Sequence, residues 1–180
     1  MKIYIVGPVA SGKSTLAKRL SGMLSIPFQS LDEVVHVTDM SSPQGNCKRS
    51  PEERDSLFYD FIARPCWIVE DVGRRCFEEG FKRADILLLL DIPSSLRDFR
   101  IIKRWIKQRL GLEKCLYLPS LKMLKCMLQW SRNYDKGKDK LKERLAPYQE
   151  KTLILRNRAD IQRYLEQTAR QVLHSKPHSF

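Results

Sequence analysis

Residues 7–15 read GPVASGKST, which matches G-x-x-x-x-G-K-[ST] at every fixed position. Chemistry demands this pattern where a backbone must wrap an anion. Gly7 and Gly12 permit the tight turn, and the loop formed with Pro8, Val9, Ala10 and Ser11 turns successive N–H groups inward towards a β-phosphate. Lys13 is placed to bridge the β- and γ-phosphates, the Ser14 hydroxyl to join a Mg²⁺ shell, and Thr15 to continue the helix whose positive end faces the anion. The flanks agree. Residues 2–6, KIYIV, are β-branched and aromatic and stop at Gly7, as a strand does; residues 14–24 carry Leu16, Leu20 and Met23 or Leu24 at helical spacing. Strand, glycine loop and helix are the context in which this motif binds a purine triphosphate, so the expected ligand is ATP with Mg²⁺.

Outward from the loop, strand and helix patterns alternate. Residues 27–31 read as a second strand ending before Asp32, and residues 38–50, polar with Pro43 and Gly45, as a mobile loop. Ser50-Pro51-Glu52-Glu53 is a helix start with Leu57, Phe58, Phe61 and Ile62 following at helical spacing. Residues 66–69 form a third strand closed by Glu70-Asp71, residues 74–83 a short charged helix, and residues 85–91 (DILLLLD) a strand apolar on both faces. Residues 93–110 are expected to be helical with Phe99, Ile102, Ile106 and Leu110 on one side. Another helix, 118–134, should bury Leu121, Leu124, Leu128 and Met127, and residues 135–144 read as a solvated charged stretch. Residues 151–155 are a final strand, residues 160–172 a closing helix with Ile161, Leu165, Thr168 or Ala169, and Val172 inward, and residues 175–180 a frayed end. The alternation implies βαβ units and a three-layer α/β/α fold on a parallel sheet of about five strands, with extra helices after residue 110. We expect one domain over residues 1–180, with a substrate-side segment at about 34–64 and a basic helical lid or insert at about 97–145.

Composition narrows the class. With 180 residues, 42% hydrophobic and 30% charged, the chain is neither fibrous nor disordered. Five cysteines (Cys47, Cys66, Cys76, Cys115, Cys126) at no metal-ligand or CxxC spacing fit reduced thiols used as small core hydrophobes. Neither a signal-type apolar run nor a membrane span is visible, so a cytoplasmic protein is expected. The net charge is +12, and residues 97–144 hold fifteen Lys and Arg against five Asp and Glu. That stretch is built to meet anions, either nucleic acid or the phosphates of a nucleotide and its partner.

The Walker A loop on so short a chain resembles the adenylate-kinase-like family of small P-loop kinases, which includes nucleotide, shikimate and gluconate kinases. Residues 67–104, WIVEDVGRRCFEEGFKRADILLLLDIPSSLRDFRIIKR, are similar to the adenylate-kinase-related bacterial group called topology modulation proteins. There the pattern runs W-I-I-E-G-N-Y, then R-A-D-x-I-I-x-L-D-x-P, then an arginine-bearing helix. With GPVASGKSTLA and the SLDEV around Asp32 the similarity spans most of residues 1–110. The chain departs from the pattern where Asp71-Val72-Gly73 stands in place of Gly-Asn-Tyr.

The resemblance implies an ATP-dependent kinase and suggests roles residue by residue. Glu70 corresponds to the acid that holds a Mg²⁺-bound water, or else is an acid at a helix N-terminus. Asp91 fits the bare Walker B description but precedes Pro93, where an Asp caps the next helix. Asp32 stands where shikimate-type kinases place an acid that orients or deprotonates the acceptor hydroxyl, or is a turn-forming Asp. Arg97, Arg100, Arg104 and Lys107 form one helical stripe, of which Arg100 and Arg104 match arginines that close on the phosphates; a solvated face is the other reading. Arg74 and Arg75 follow Glu70-Asp71 and would bind the acceptor, while Arg156 and Arg158 lie where such kinases pack the adenine. His36 has no partner at recognisable spacing and reads as structural or exposed.

Two functions follow from different features. The first is a phosphotransferase that moves the γ-phosphoryl group of ATP·Mg²⁺ to a nucleotide or small hydroxylated metabolite. The second is a nucleic-acid-associated ATPase or binding module, in which the lysines of residues 114–144 contact phosphates and Tyr117, Trp130 and Tyr134 stack on bases. An amphipathic helix with its lysines in water is the favoured account of that stretch.

Overall fold

A computed structural model describes residues 1–39, 41–42, 45–113 and 117–175. Strand β1 (Lys2–Val6) runs down the middle of a five-stranded parallel sheet. On one side lie β5 (Trp67–Asp71) and then β2 (Phe28–Ser30); on the other lie β6 (Ile86–Leu90) and then β7 (Thr152–Leu155). The three inner strands are apolar because helices cover both their faces, and alternate side chains feed two cores. Tyr4, Val6, Val69, Leu87 and Leu89 enter one; Ile3, Ile5, Ile68, Leu88 and Leu90 enter the other. The expected three-layer parallel architecture is the observed one.

The second core is closed by α1 (Lys13–Leu24), through Leu16, Ala17 and Leu20, and by α8 (Arg158–Ser175), through Leu165. The first takes α2 (Leu31–Val35), α3 (Pro51–Ile62) and α4 (Glu78–Arg83). Ser50 caps α3 as its sequence requires, its hydroxyl accepting the Glu53 N–H at 3.2 Å. Gly80 of α4 lies so near β1 that a Cβ there would fall 2.5 Å from the Tyr4 ring.

Four differences from the sequence expectation, and the orientation of one helix, have physical causes. The second strand stops at Ser30, and Leu31 opens α2, which puts Asp32 in a helical first turn. Across the start of the 38–50 segment read as a loop, β3 (His36–Thr38) pairs antiparallel with β4 (Asn46–Lys48); Met40, Pro43 and Gln44 lie outside the described residues. Both strands are three residues long and largely exposed, so no apolar alternation announces them. The third strand continues through Glu70 and Asp71, both buried, because those carboxylates find donors at its end. In α5 (Ser94–Arg109) the apolar stripe faces out, where an amphipathic helix ordinarily turns it to the core: Phe99, Ile102 and Ile106, with Leu110 just beyond, are exposed, while Arg97, Ile101 and Gln108 are buried. Residues 135–144 are not wholly solvated, since α7 (Leu141–Leu145) buries Leu141 and Leu145 in the first core.

Arg97 accounts for this orientation. Its guanidinium lies within 5.2 Å of the Tyr134 ring centroid on α6 (Leu121–Asp135), pairs with Asp135 and donates to the Ser131 carbonyl at 3.3 Å. Pairing with Asp135 and stacking on Tyr134 offset the cost of burying this guanidinium, and the polar side of α5 faces inward with it. Helix α6 buries Met127, Ser131 and Tyr134, whereas Leu121, expected inside, is exposed. The four described cysteines are free. Cys115, Lys114 and residues 176–180 lie outside the described residues.

Candidate active site

The loop between β1 and α1 has the conformation its glycines permit. Gly12 adopts φ 102°, and at Gly7 a Cβ would come 2.7 Å from the Leu90 carbonyl oxygen. Lys13 is buried, with Nζ donating to the Pro8 carbonyl at 2.9 Å inside the loop. Burial lowers the Lys13 pKa, opposed by the charges of Glu70, Asp32 and Asp71. The Ser11 hydroxyl, wholly buried beside Gly7, has no hydrogen-bond partner among the described residues. A buried hydroxyl without a partner, an ammonium on a carbonyl and a helix N-terminus converge on one small space, which fits a phosphate group. Arg100 reaches over from α5, its Nη1 donating to the carbonyls of Ser11 at 2.9 Å and Ala10 at 3.3 Å.

Carboxylates line the end of β5 beside the loop. Glu70, 3% exposed, accepts from the Ser14 hydroxyl at 2.9 Å and from Ser30 at 2.8 Å through the same Oε1. Parallel pairing of β2 with β5 sets Ser30 opposite Glu70. Next along the strand, buried Asp71 accepts the Gly73 N–H at 2.7 Å and the Arg74 N–H, and its Oδ1 holds Arg74 Nη1. Arg74 Nη2 goes to Asp32, forty-two residues earlier. For the Asp32 carboxyl, burial is an upward influence, but the charge and hydrogen bond of Arg74 outweigh it and hold the pKa below the ordinary value. His36 lies on the Asp32 carbonyl, with ring nitrogen and oxygen 3.3 Å apart, and burial lowers its pKa.

Among the described residues, no three His, Cys, Asp or Glu side chains cluster to grip a metal. One hydroxyl and one carboxylate, Ser14 and Glu70, are instead the donor set suited to Mg²⁺, which keeps several waters and takes its remaining ligands from nucleotide phosphates.

Lys13, Ser14, Asp32, Glu70, Arg74 and Arg100 are thus gathered at one end of the sheet. Other candidates stand elsewhere. Arg104 donates to the Tyr117 hydroxyl at 3.2 Å; Arg75 is exposed; Arg156 and Arg158 are exposed after β7, with the Arg156 N–H donating to Asp160 at 2.9 Å. Asp91 makes no cap for α5. It accepts from Tyr134 at 2.7 Å and pairs with Lys142 at 2.8 Å, so it fastens α6 and α7 to the end of β6. Of the three aromatics expected to interleave with lysines, Tyr134 is buried, Tyr117 donates to Gln108 at 3.1 Å, and Trp130 is exposed. Ser30 and Asp71 were not singled out from the sequence. Asp71 was signalled by the departure from Gly-Asn-Tyr, whereas only strand register reveals Ser30.

Comparison with solved structures bears on the fold. Shikimate kinase from Acinetobacter baumannii, in complex with shikimate, matches with TM-score 0.56 at 19% identity, covering 97% of this chain and 94% of that one. The chain shares its fold with small P-loop kinases. A sugar kinase from Janibacter sp. matches with TM-score 0.52 at 17% identity over 96% of this chain and 92% of its own. Shikimate kinase from Bacteroides thetaiotaomicron matches with TM-score 0.51 at 16% identity over 96% and 98%. No protein-family model and no curated protein matches the sequence.

Proposed function

We propose that the protein is an ATP-dependent phosphotransferase that moves the γ-phosphoryl group of ATP to a small hydroxylated acceptor. One observation carries the reading: the phosphate-wrapping loop holds Lys13 inside it and sets Ser14 on the buried Glu70 carboxylate, so phosphate and cation sites adjoin. The solved structures that share this fold, two shikimate kinases and a sugar kinase, support the same class.

Each residue then has a task. The loop N–H groups bind the β-phosphate, and Lys13 leaves the Pro8 carbonyl to bridge the β- and γ-phosphates. Ser14 and Glu70 would hold Mg²⁺, which supplies charge neutralisation on the phosphate oxygens. Arg100, already on the loop carbonyls, offsets charge on the transferred group, with Arg104 in reserve on the same helix. Asp32 accepts the acceptor hydroxyl and holds its oxygen in line. A bond forms from that oxygen to the γ-phosphorus as the bridging P–O bond to ADP breaks, and the hydroxyl proton passes by way of Asp32 to water. Arg156, at the rim after β7, would pack against the adenine.

The resemblance of residues 67–104 to the topology-modulation group extends this reading to that group and to a cytoplasmic enzyme. Among the described residues, no helix is long and apolar enough to cross a membrane. Titration with a fluorescent ATP analogue tests the reading: Lys13→Ala should lose Mg²⁺-dependent binding, and undiminished binding would contradict it.

A further inference from the structure

Helix α5 carries an apolar stripe that the phosphate site does not use. At about 100° per residue, Phe99, Ile102, Ile106 and Leu110 fall within about 60° of one line along the helix, and Leu96 begins it. All of them are exposed, Phe99 by 61% and Leu110 by 66%, and exposed Leu112 extends the stripe past the helix end. The buried side chains Arg97, Ile101 and Gln108 lie on the opposite side, so the stripe is the outer crest of the helix. Proteins rarely leave a contiguous row of large apolar side chains in water unless it marks an interaction site.

The flanks of the stripe carry one sign of charge. From Phe99 to Leu112 the chain has five Lys and Arg and no Asp or Glu. Two of these cations are engaged inward, Arg100 on the Ser11 carbonyl and Arg104 on the Tyr117 hydroxyl. Lys103 and Lys107 are exposed along one flank and Arg109 along the other. The Lys103 ammonium lies 5.9 Å from the Phe99 ring centroid and the Arg109 guanidinium 5.6 Å from that of Trp105, so their stems follow apolar surface while their heads stay in water. The acid just before the stripe, Asp98, turns inward and accepts from the Ser131 hydroxyl at 2.9 Å.

Shape and charge together select the occupant. A second copy would set Lys103, Lys107 and Arg109 against their own kind, and the stripe spans about two heptads where a coiled-coil seam sustains three or four. A peptide helix docks in a groove, whereas this is a ridge, one helix with exposed cations on both flanks. Nucleic acid would meet the cations but leave Phe99, Ile106 and Leu110 against phosphates. A negatively charged lipid surface satisfies both features: the apolar crest enters the boundary between headgroups and acyl chains while the flanking cations meet the headgroups. We propose that α5 docks the protein on an anionic lipid bilayer, lying in the plane of its surface. Arg100 reaches from the same helix to the Ser11 carbonyl at 2.9 Å, so docking holds the phosphate loop a side chain's length from the helix that touches lipid.

Co-sedimentation of the full chain with vesicles at physiological salt tests this, with phosphatidylcholine alone set against phosphatidylcholine mixed with phosphatidylserine. The wild type should bind the mixed vesicles and not the neutral ones. The combined Phe99→Gln, Ile106→Gln and Leu110→Gln variant should bind them at least about tenfold more weakly, the factor that losing even one buried apolar side chain produces. Lys103→Gln and Arg109→Gln should each weaken binding about fivefold, the size of one cation at a negative surface. All these side chains are exposed, so thermal unfolding followed by circular dichroism should match wild type and separate lost docking from lost folding. Failure to bind the mixed vesicles, or equal binding to the neutral ones, overturns the inference. So does full retention of binding by the triple variant, which would mean adsorption of a basic chain without the stripe. A wild-type mass that doubles with concentration, and stays at one chain in the triple variant, would assign the stripe to a second copy and overturn the inference equally.

Discussion

Lys13 shows how the loop stands ready: its ammonium is out of water yet satisfied by the Pro8 carbonyl, a bond it can exchange for phosphate oxygens. Removing this donor should lower ATP turnover by about 10²–10³-fold, the cost of deleting one preorganised charge-stabilising group, as measured by coupled ADP release from Lys13→Ala. Glu70→Gln keeps an acceptor for Ser14 and Ser30 but removes the charge, so the Mg²⁺ concentration for half-maximal turnover should rise; an unchanged Mg²⁺ requirement would count against Glu70 as a cation-holding residue. For Asp32 the sign of the pH effect follows from its depressed pKa. Its pairing with Arg74 stabilises the fold above the ordinary carboxylate range and is lost as pH falls through the lower folded value, so Asp32→Asn should be less stable than wild type at neutral pH and converge with it in acid. Urea midpoints at several pH values would show this. The loop residues were legible because a cradle for phosphate needs its parts consecutive in sequence. The Asp32–Arg74–Asp71 clamp was not, because it joins groups forty-two residues apart that only the parallel register brings together.

At the scale of elements, hydropathic spacing correctly says which residues share a face of a helix, but not which way the face points. Helix α5 demonstrates it: Phe99, Ile102, Ile106 and Leu110 do form one stripe, and it faces out because Arg97 is buried against Tyr134 and Asp135. The polar run 135–144 misled for a related reason, since Leu141 and Leu145 are too few to make a pattern yet dock α7 on the core. That docking depends on Gly73, where φ is +95° and a Cβ would lie 2.8 Å from Leu141 Cδ1. Gly73→Ala should therefore cost about 1–3 kcal/mol, the range for overpacking a filled site, read as a lower urea midpoint. A midpoint equal to wild type would mean that α7 is not packed there.

Across the whole molecule the fold was readable because continuous apolar strands alternate with amphipathic helices, and that order leaves a doubly covered parallel sheet as the consistent solution. The excess charge, +12 overall, carries no such structural instruction. Scattered lysines bind polyanions by counterion release, so any DNA retardation seen at low salt should disappear near physiological ionic strength; an electrophoretic shift that persists there would point to a dedicated nucleic-acid surface. The central claim is phosphoryl transfer, and its most direct measurement follows the label from γ-³²P-ATP·Mg²⁺ into a panel of hydroxylated acceptors, with Lys13→Ala in parallel. The account predicts labelled acceptor in the wild type and none above background in the variant. Label released only as inorganic phosphate, or transferred equally by Lys13→Ala, would contradict it.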